Sequence, residues 1–179
     1  MSQLHQYQRR RLLGVAALLP LTGLAGCAPA EAVRDFPTLA SAQAAIERAS
    51  AGGLKSSGAW TLAQVLTHAA QSIEFSMSGF PELKPELFRA TLGRAAFAFF
   101  DARGAMRHAL DEPIPGAPEL NPQTALPAAA ARCLDSLRRF EAHTGALAPH
   151  FAYGALDKAQ YTRAHLMHLA NHWTEIGPA

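Results

Sequence analysis

Cysteine is scarce in this sequence: two residues among 179, Cys27 and Cys133, allow at most one disulfide, which excludes a disulfide-built scaffold. Charge is sparse as well. Charged residues make up 17% of the chain against 49% hydrophobic, a balance that excludes disorder over most of its length and supplies the core of a single domain. No alternation of apolar and polar residues lasts long enough to indicate a sheet, and no internal repeat has solenoid length. No apolar run reaches, uninterrupted, the roughly 20 residues that span a bilayer.

What is present begins with "QRRRLLGVAALLPLTGLAGC": Arg9, Arg10 and Arg11, then an apolar stretch broken by Pro20 and Gly23, then small residues ending at Cys27. Basic, apolar, small is the order of an export signal. Its last four residues, Leu24-Ala25-Gly26-Cys27, resemble a bacterial lipobox, which implies cleavage before Cys27 and lipidation of that cysteine. On this reading residues 1–26 are the signal, 27–37 the lipidated cysteine and a tether, and 38–179 the folded domain. The protein is expected in the bacterial cell envelope, facing the periplasm and touching the membrane through its acyl chains alone, each buried CH₂ contributing about 0.8 kcal/mol. Arg9-Arg10-Arg11-Leu12-Leu13 also resembles the core of a twin-arginine signal, but three arginines are equally an ordinary basic start, so Sec and twin-arginine export both stay open. The leader carries three of the 16 Lys and Arg and none of the 14 Asp and Glu, so its removal takes the net charge from +2 to −1. No basic face for nucleic acid survives, and Cys133, left alone, has no partner for an intramolecular disulfide.

The rest reads as all-α. Thr38 is placed to cap a short first helix that ends at Gly52-Gly53. "WTLAQVLTHAAQSIEFSM" carries Leu62, Val65, Leu66, Ala69, Ile73 and Met77 at the three-and-four spacing of a buried stripe, stopped by Gly79 and Pro81. A third helix is expected from Pro85 to Leu110, with bends at Gly93 or Gly104. "DEPIPGAPELNPQTALP" holds five of the 12 prolines and must be a loop crossing one end of the fold. A fourth helix follows, stopped by Gly145 and carrying Cys133 as a small buried hydrophobe rather than a nucleophile, and the last opens at Asp157 with Gln160 at capping-box spacing. Four long helices, one short extra N-terminal helix and a long Pro-rich crossover loop compose a four-helix bundle.

Seven histidines follow the leader: His68, His108, His143, His150, His165, His168 and His172. At about 100° per residue His165, His168 and His172 share one face of the last helix with Tyr161. His168 and His172 are one turn apart, a spacing at which two imidazoles converge on one metal ion; His165 and His172 lie about 10.5 Å apart along the axis and cannot both bind it. A pair is an incomplete site, so a third ligand must come from elsewhere, or the histidines are simply hydrogen-bonded beside the core. His68 lies off the centre of its helix's stripe and by itself passes for a surface residue. His108 and His143, near expected helix C-termini, are assigned no function. Glu74 and Tyr161 are further candidates for a pocket.

Taken together, "WTLAQVLTHAAQSIEFSMSGFP" and, about a hundred residues later, "PHFAYGALDKAQYTRAHLMHLANH" resemble the DinB/YfiT-like superfamily of four-helix proteins, regarded as metalloenzymes, over most of residues 38–176. In that superfamily one histidine of an early helix and an H-x-x-x-H pair of the last hold a divalent ion, so the resemblance implies His68, His168 and His172 as ligands of zinc or nickel. His165 and His150 are then the candidate catalytic residues, lining the pocket as a partner of a ligand or as proton donors. The function so implied is a metal-dependent hydrolase or thiol transferase acting on a small molecule, with no nucleic acid partner and a homodimer among the assemblies admitted. The alternative is a lipid-anchored module that binds metal or ligand without catalysis, since no serine, cysteine or carboxylate stands out as a nucleophile or base.

Overall fold

The computed structural model describes residue 33 and residues 35–179; the export signal, Cys27 and most of the tether lie outside the described residues. Three helices start at reciprocal caps readable in the sequence. Thr38 opens α1 (Leu39–Ser50), Thr61 opens α2 (Leu62–Ser78) and Asp157 opens α6 (Lys158–Trp173), each accepting from the amide three residues on, whose side chain returns to the cap. These boxes satisfy amides that the first helical turn leaves without partners. α5 (Leu126–Ala142) instead begins with Pro127 in its first turn, where no amide hydrogen is needed, and it ends at His143, two residues before the expected Gly145.

The third helix departs from expectation in two ways. It opens after Pro85 as α3 (Glu86–Phe88), widens into one π-helical turn (Arg89–Gly93) and continues as α4 (Arg94–Arg103). A Cβ at Gly93 would stand 1.8 Å from the carbonyl oxygen of Ala152, so the glycine lets this turn lie directly on the 150–154 loop. It then stops at Gly104, which takes the left-handed conformation (φ 58°), six residues short of Leu110. The chain from 105 to 125 is therefore loop, and it runs along α2, held by Gln64 Nε2 donating to the Leu120 carbonyl at 3.0 Å and Gln71 Nε2 to that of Pro118 at 2.9 Å.

The fold is mostly helical rather than all-α. β1 (Leu54–Ser56) and β2 (Ile176–Pro178) pair antiparallel, with Lys55 opposite Gly177. At three residues each they are too short to register as alternation. Ser57 N–H to the Glu175 carbonyl (2.8 Å) and Ala179 N–H to that of Gly53 (2.9 Å) extend the clasp. α2 is packed chiefly against α5 and also against α6, α1 lies on α5, and α4 meets α6, where Arg163 pairs with Asp101. Ile46, Leu66, Leu137, Phe140, Tyr161 and Met167 fill the centre. Val33 and Phe36, in the stretch read as tether, are buried too, and Phe36 meets Trp173 edge-on at 5.4 Å. Cys133 is fully buried and its thiol is pushed up to about 12 by that burial, which makes it the packing residue expected. Among the described residues no helix is long and apolar enough to cross a membrane.

Candidate metal centre

His168 and His172 stand one turn apart on α6, and α2, packed beside it, brings His68 to them. Each of the three offers a ring nitrogen within 4.8 Å of the other two. His68 Nε2 and His168 Nε2 are 3.1 Å apart, close to the roughly 3.3 Å that separates two imidazole nitrogens bound at about 2.0–2.1 Å to one tetrahedral ion. His68 is 3% exposed, which corrects its reading as a surface residue: α2 is enclosed by α5 and α6 and buries far more than the stripe its apolar residues define. His172 is equally buried and neither of its nitrogens has a hydrogen-bond partner; His68 Nδ1 is likewise unpartnered. A buried polar atom without a partner costs about 1–3 kcal/mol. The cluster thus concentrates unmet bonding capacity at one point, and a divalent ion fits the donor set.

Burial keeps these rings unprotonated. It holds His68 down at about 4, with His108 adding to the effect, and His172 at about 3, with His68 and His108 contributing. His168, half-buried, is lowered well below the ordinary imidazole value by burial and then by the rings around it. Neutral imidazole is the form that coordinates metal.

Two residues of the site were not legible in the sequence. His108, assigned no function there, is not at a helix end: the chain leaves α4 at Gly104 and turns its ring against His168 (5.0 Å between centroids) and His172 (5.2 Å). Its Nδ1 lies 2.7 Å from the Ala109 carbonyl oxygen. Gly104 preceded by Arg103 is a helix-stop signal that would have put His108 in the loop, though not against the cluster. Trp60, just before the cap of α2, lies nearly parallel to His172 at 5.9 Å and tilted on His68 at 4.9 Å, walling the cluster on one side. Nothing in its spacing announces that.

A cavity of about 200 Å³ opens beside the cluster, with His68 and His168 in its wall. His165 and His150 also line it, so both candidate catalytic residues reach it. His165 Nε2 is 3.2 Å from Ser76 Oγ, and burial, with Lys158 adding to it, holds the ring at about 3. His150 sits in a tight loop closed by its own amide to the Gly154 carbonyl at 2.8 Å and by Lys84 N–H to that of Phe151 at 2.9 Å. Its Nδ1 accepts from the amides of Ala152 (3.1 Å) and Tyr153 (3.2 Å), and burial, then His165, holds it at about 3. Glu74 and Tyr161 are not in the cavity wall. Glu74 is taken by Arg132, Arg139 and Ser136 of α5, and the Tyr161 hydroxyl donates to the Ala148 carbonyl at 2.7 Å. Both serve packing, because partners on neighbouring segments claim their polar atoms.

The model of a family described as protein of unknown function (DUF1569) matches residues 31–179. No curated protein and no solved structure matches the chain.

Proposed function

We propose, from the premise that this chain belongs to the DUF1569 family, that it binds one divalent metal ion, zinc or nickel, through His68, His168 and His172 and uses it as a hydrolase or transferase of a small molecule. The observation that carries the reading is the meeting of three neutral imidazoles within 4.8 Å, two of them buried with unpartnered nitrogens. α2, α3–α4, α5 and α6 would then be the four helices of a DinB-like bundle, and Cys27 the lipid anchor holding it at the envelope. An ion at this place would supply Lewis acidity and lower the pKa of a bound water. The chain's own residues bind and orient: His150 and His165 line the cavity, Trp60 shields one side of the cluster, and His108 of the 105–125 loop lies against His168 and His172.

Elemental analysis of the purified protein tests the reading. One equivalent of zinc or nickel is expected, lost in His168→Ala and kept in His143→Ala, whose ring is not part of the cluster and lies beside the Ala146 carbonyl. A protein that binds no divalent ion and melts identically after chelation overturns it. The non-catalytic module remains a second reading on one observation: Glu112, the carboxylate at the cavity, is exposed at the rim, and Cys133 is sealed in the core. Hydrolase and thiol-transfer screens with and without metal separate the two.

A further inference from the structure

Two of the cavity's histidines, His165 and His150, are each held in one tautomer by their hydrogen bonds. Ser76 Oγ stands 2.6 Å from the Ile73 carbonyl oxygen, a separation that requires a hydrogen between the two oxygens. The serine has one hydroxyl hydrogen, so His165 Nε2, at 3.2 Å from the same Oγ, must be the donor. The neutral His165 ring therefore carries its proton on Nε2 and a bare lone pair on Nδ1. His150 is the reverse case, because Nδ1 accepts from two amides and the single ring proton sits on Nε2. The side-chain hydrogen bonds of these rings among the described residues run through His165 Nε2 and His150 Nδ1, which leaves His165 Nδ1 and His150 Nε2 for a ligand, and both rings line the cavity. Neither ring is free to flip. Each would lose the bonds just named, and each is stacked, His150 on Tyr153 at 4.3 Å and His165 on Tyr161 at 5.4 Å, with Phe140 perpendicular to His165 at 4.8 Å.

Three more imidazoles in the wall, His68, His108 and His168, belong to or pack on the cluster at its end; the remaining lining is undemanding. Met106, Ile114 and Phe151 are apolar, and the two formal charges, Lys84 and Glu112, are exposed at the rim and of opposite sign. Ser72 can donate or accept and so does not discriminate. We infer that this cavity binds a small uncharged carboxamide, its carbonyl oxygen accepting from His150 Nε2 and its N–H donating to His165 Nδ1. A carboxylate brings acceptors only and sets one of them against the His165 lone pair. An ammonium brings donors only and sets one against the His150 N–H. The inference deepens the proposed function by naming its substrate class and rests on the same cavity, but the donor and acceptor are fixed by Ser76 and by two amides, not by an ion.

The test uses the purified full chain stripped with chelator, so that no ligand gains from a metal. Benzamide, benzoate and benzylamine share a ring and differ in the polar group. Calorimetric titration should give benzamide at least about a tenfold advantage over the other two, the penalty of a mismatched buried polar contact. Long-range ¹H–¹⁵N spectra should show both His150 and His165 protonated at Nε2. Benzoate binding as tightly as benzamide, no benzamide binding, or a proton on His165 Nδ1 overturns the inference. Ser76→Ala removes the group that fixes the His165 tautomer and should cost benzamide several-fold in affinity while benzoate, now able to accept from a proton on His165 Nδ1, gains; should that variant fail to fold, the spectra of the unmodified protein decide. A zinc titration of the same sample reports on the metal reading separately: zinc uptake without benzamide selectivity sinks only the carboxamide, and selectivity without zinc uptake sinks only the metal.

Discussion

At the scale of single residues the histidines make the protein sensitive to acid. A ring held near 3 in the fold, as His150, His165 and His172 are, returns to 6.5 when the chain unfolds. Between those values the unfolded chain binds more protons, so stability is full above about pH 6.5 and falls as pH drops toward 3. Each such ring contributes a slope of up to about 1.4 kcal/mol per pH unit. Urea midpoints should stay level from pH 8 to 7 and decline steeply below 6.5; a midpoint unchanged at pH 5 would contradict the burial of these rings. His172 adds a second prediction. With both nitrogens buried and unpartnered, its replacement by leucine removes two unmet polar groups, so metal-free His172→Leu should be more stable than the metal-free parent by about 1 kcal/mol while binding no zinc. Chelator-treated urea titrations measure the first and elemental analysis the second. The pair His168 and His172 is readable from its one-turn spacing. His68 is reached only through the family resemblance, because periodicity identifies the apolar side of a helix and says nothing of a polar residue that a second neighbouring helix covers.

At the scale of elements, Gly104, read as a bend in a helix reaching Leu110, is a left-handed stop, whereas the three capping boxes and the stop at Gly79 follow from local chemistry that a few residues encode. The sequence pattern of α2 and α6 holds for the same reason. The π turn at Arg89–Gly93 does not follow from local chemistry, since it exists where α3–α4 meets the Ala152 carbonyl, a contact made across some sixty residues. Gly93→Ala should therefore be costly: a methyl group 1.8 Å from a backbone oxygen forces helix and loop apart, at about 1–3 kcal/mol. Because the displaced loop carries His150, the amide resonances of Ala152 and Tyr153 should shift as well, whereas a change confined to α4 would show that the loop does not depend on this contact. The strands escape sequence reading for a related reason: three residues define no period, and their pairing is decided by what α6 delivers opposite Leu54–Ser56.

At the scale of the whole molecule an ion at the cluster would tie α2 to α6 across a hundred residues of chain. Zinc at a hundredfold excess over its dissociation constant should add about 2.7 kcal/mol to unfolding, visible as a raised melting temperature that chelator reverses. Trp60, lying against His68 and His172, should report the same event as a change in indole emission, and Trp60→Phe should silence that signal without abolishing zinc uptake. The short antiparallel clasp has a different consequence, one of topology. β1 and α2 lie on one side of the exposed stretch around Asn121, Pro122 and Gln123, while α5, α6 and β2 lie on the other. A peptide bond cut there severs no helix and leaves the clasp, the α2–α5 packing and the histidine cluster each shared between the two pieces. The chain is in this sense already a pair of complementary halves, and a zinc ion bridging His68 of one to His168 and His172 of the other would be the seal that makes two fragments assemble as one protein.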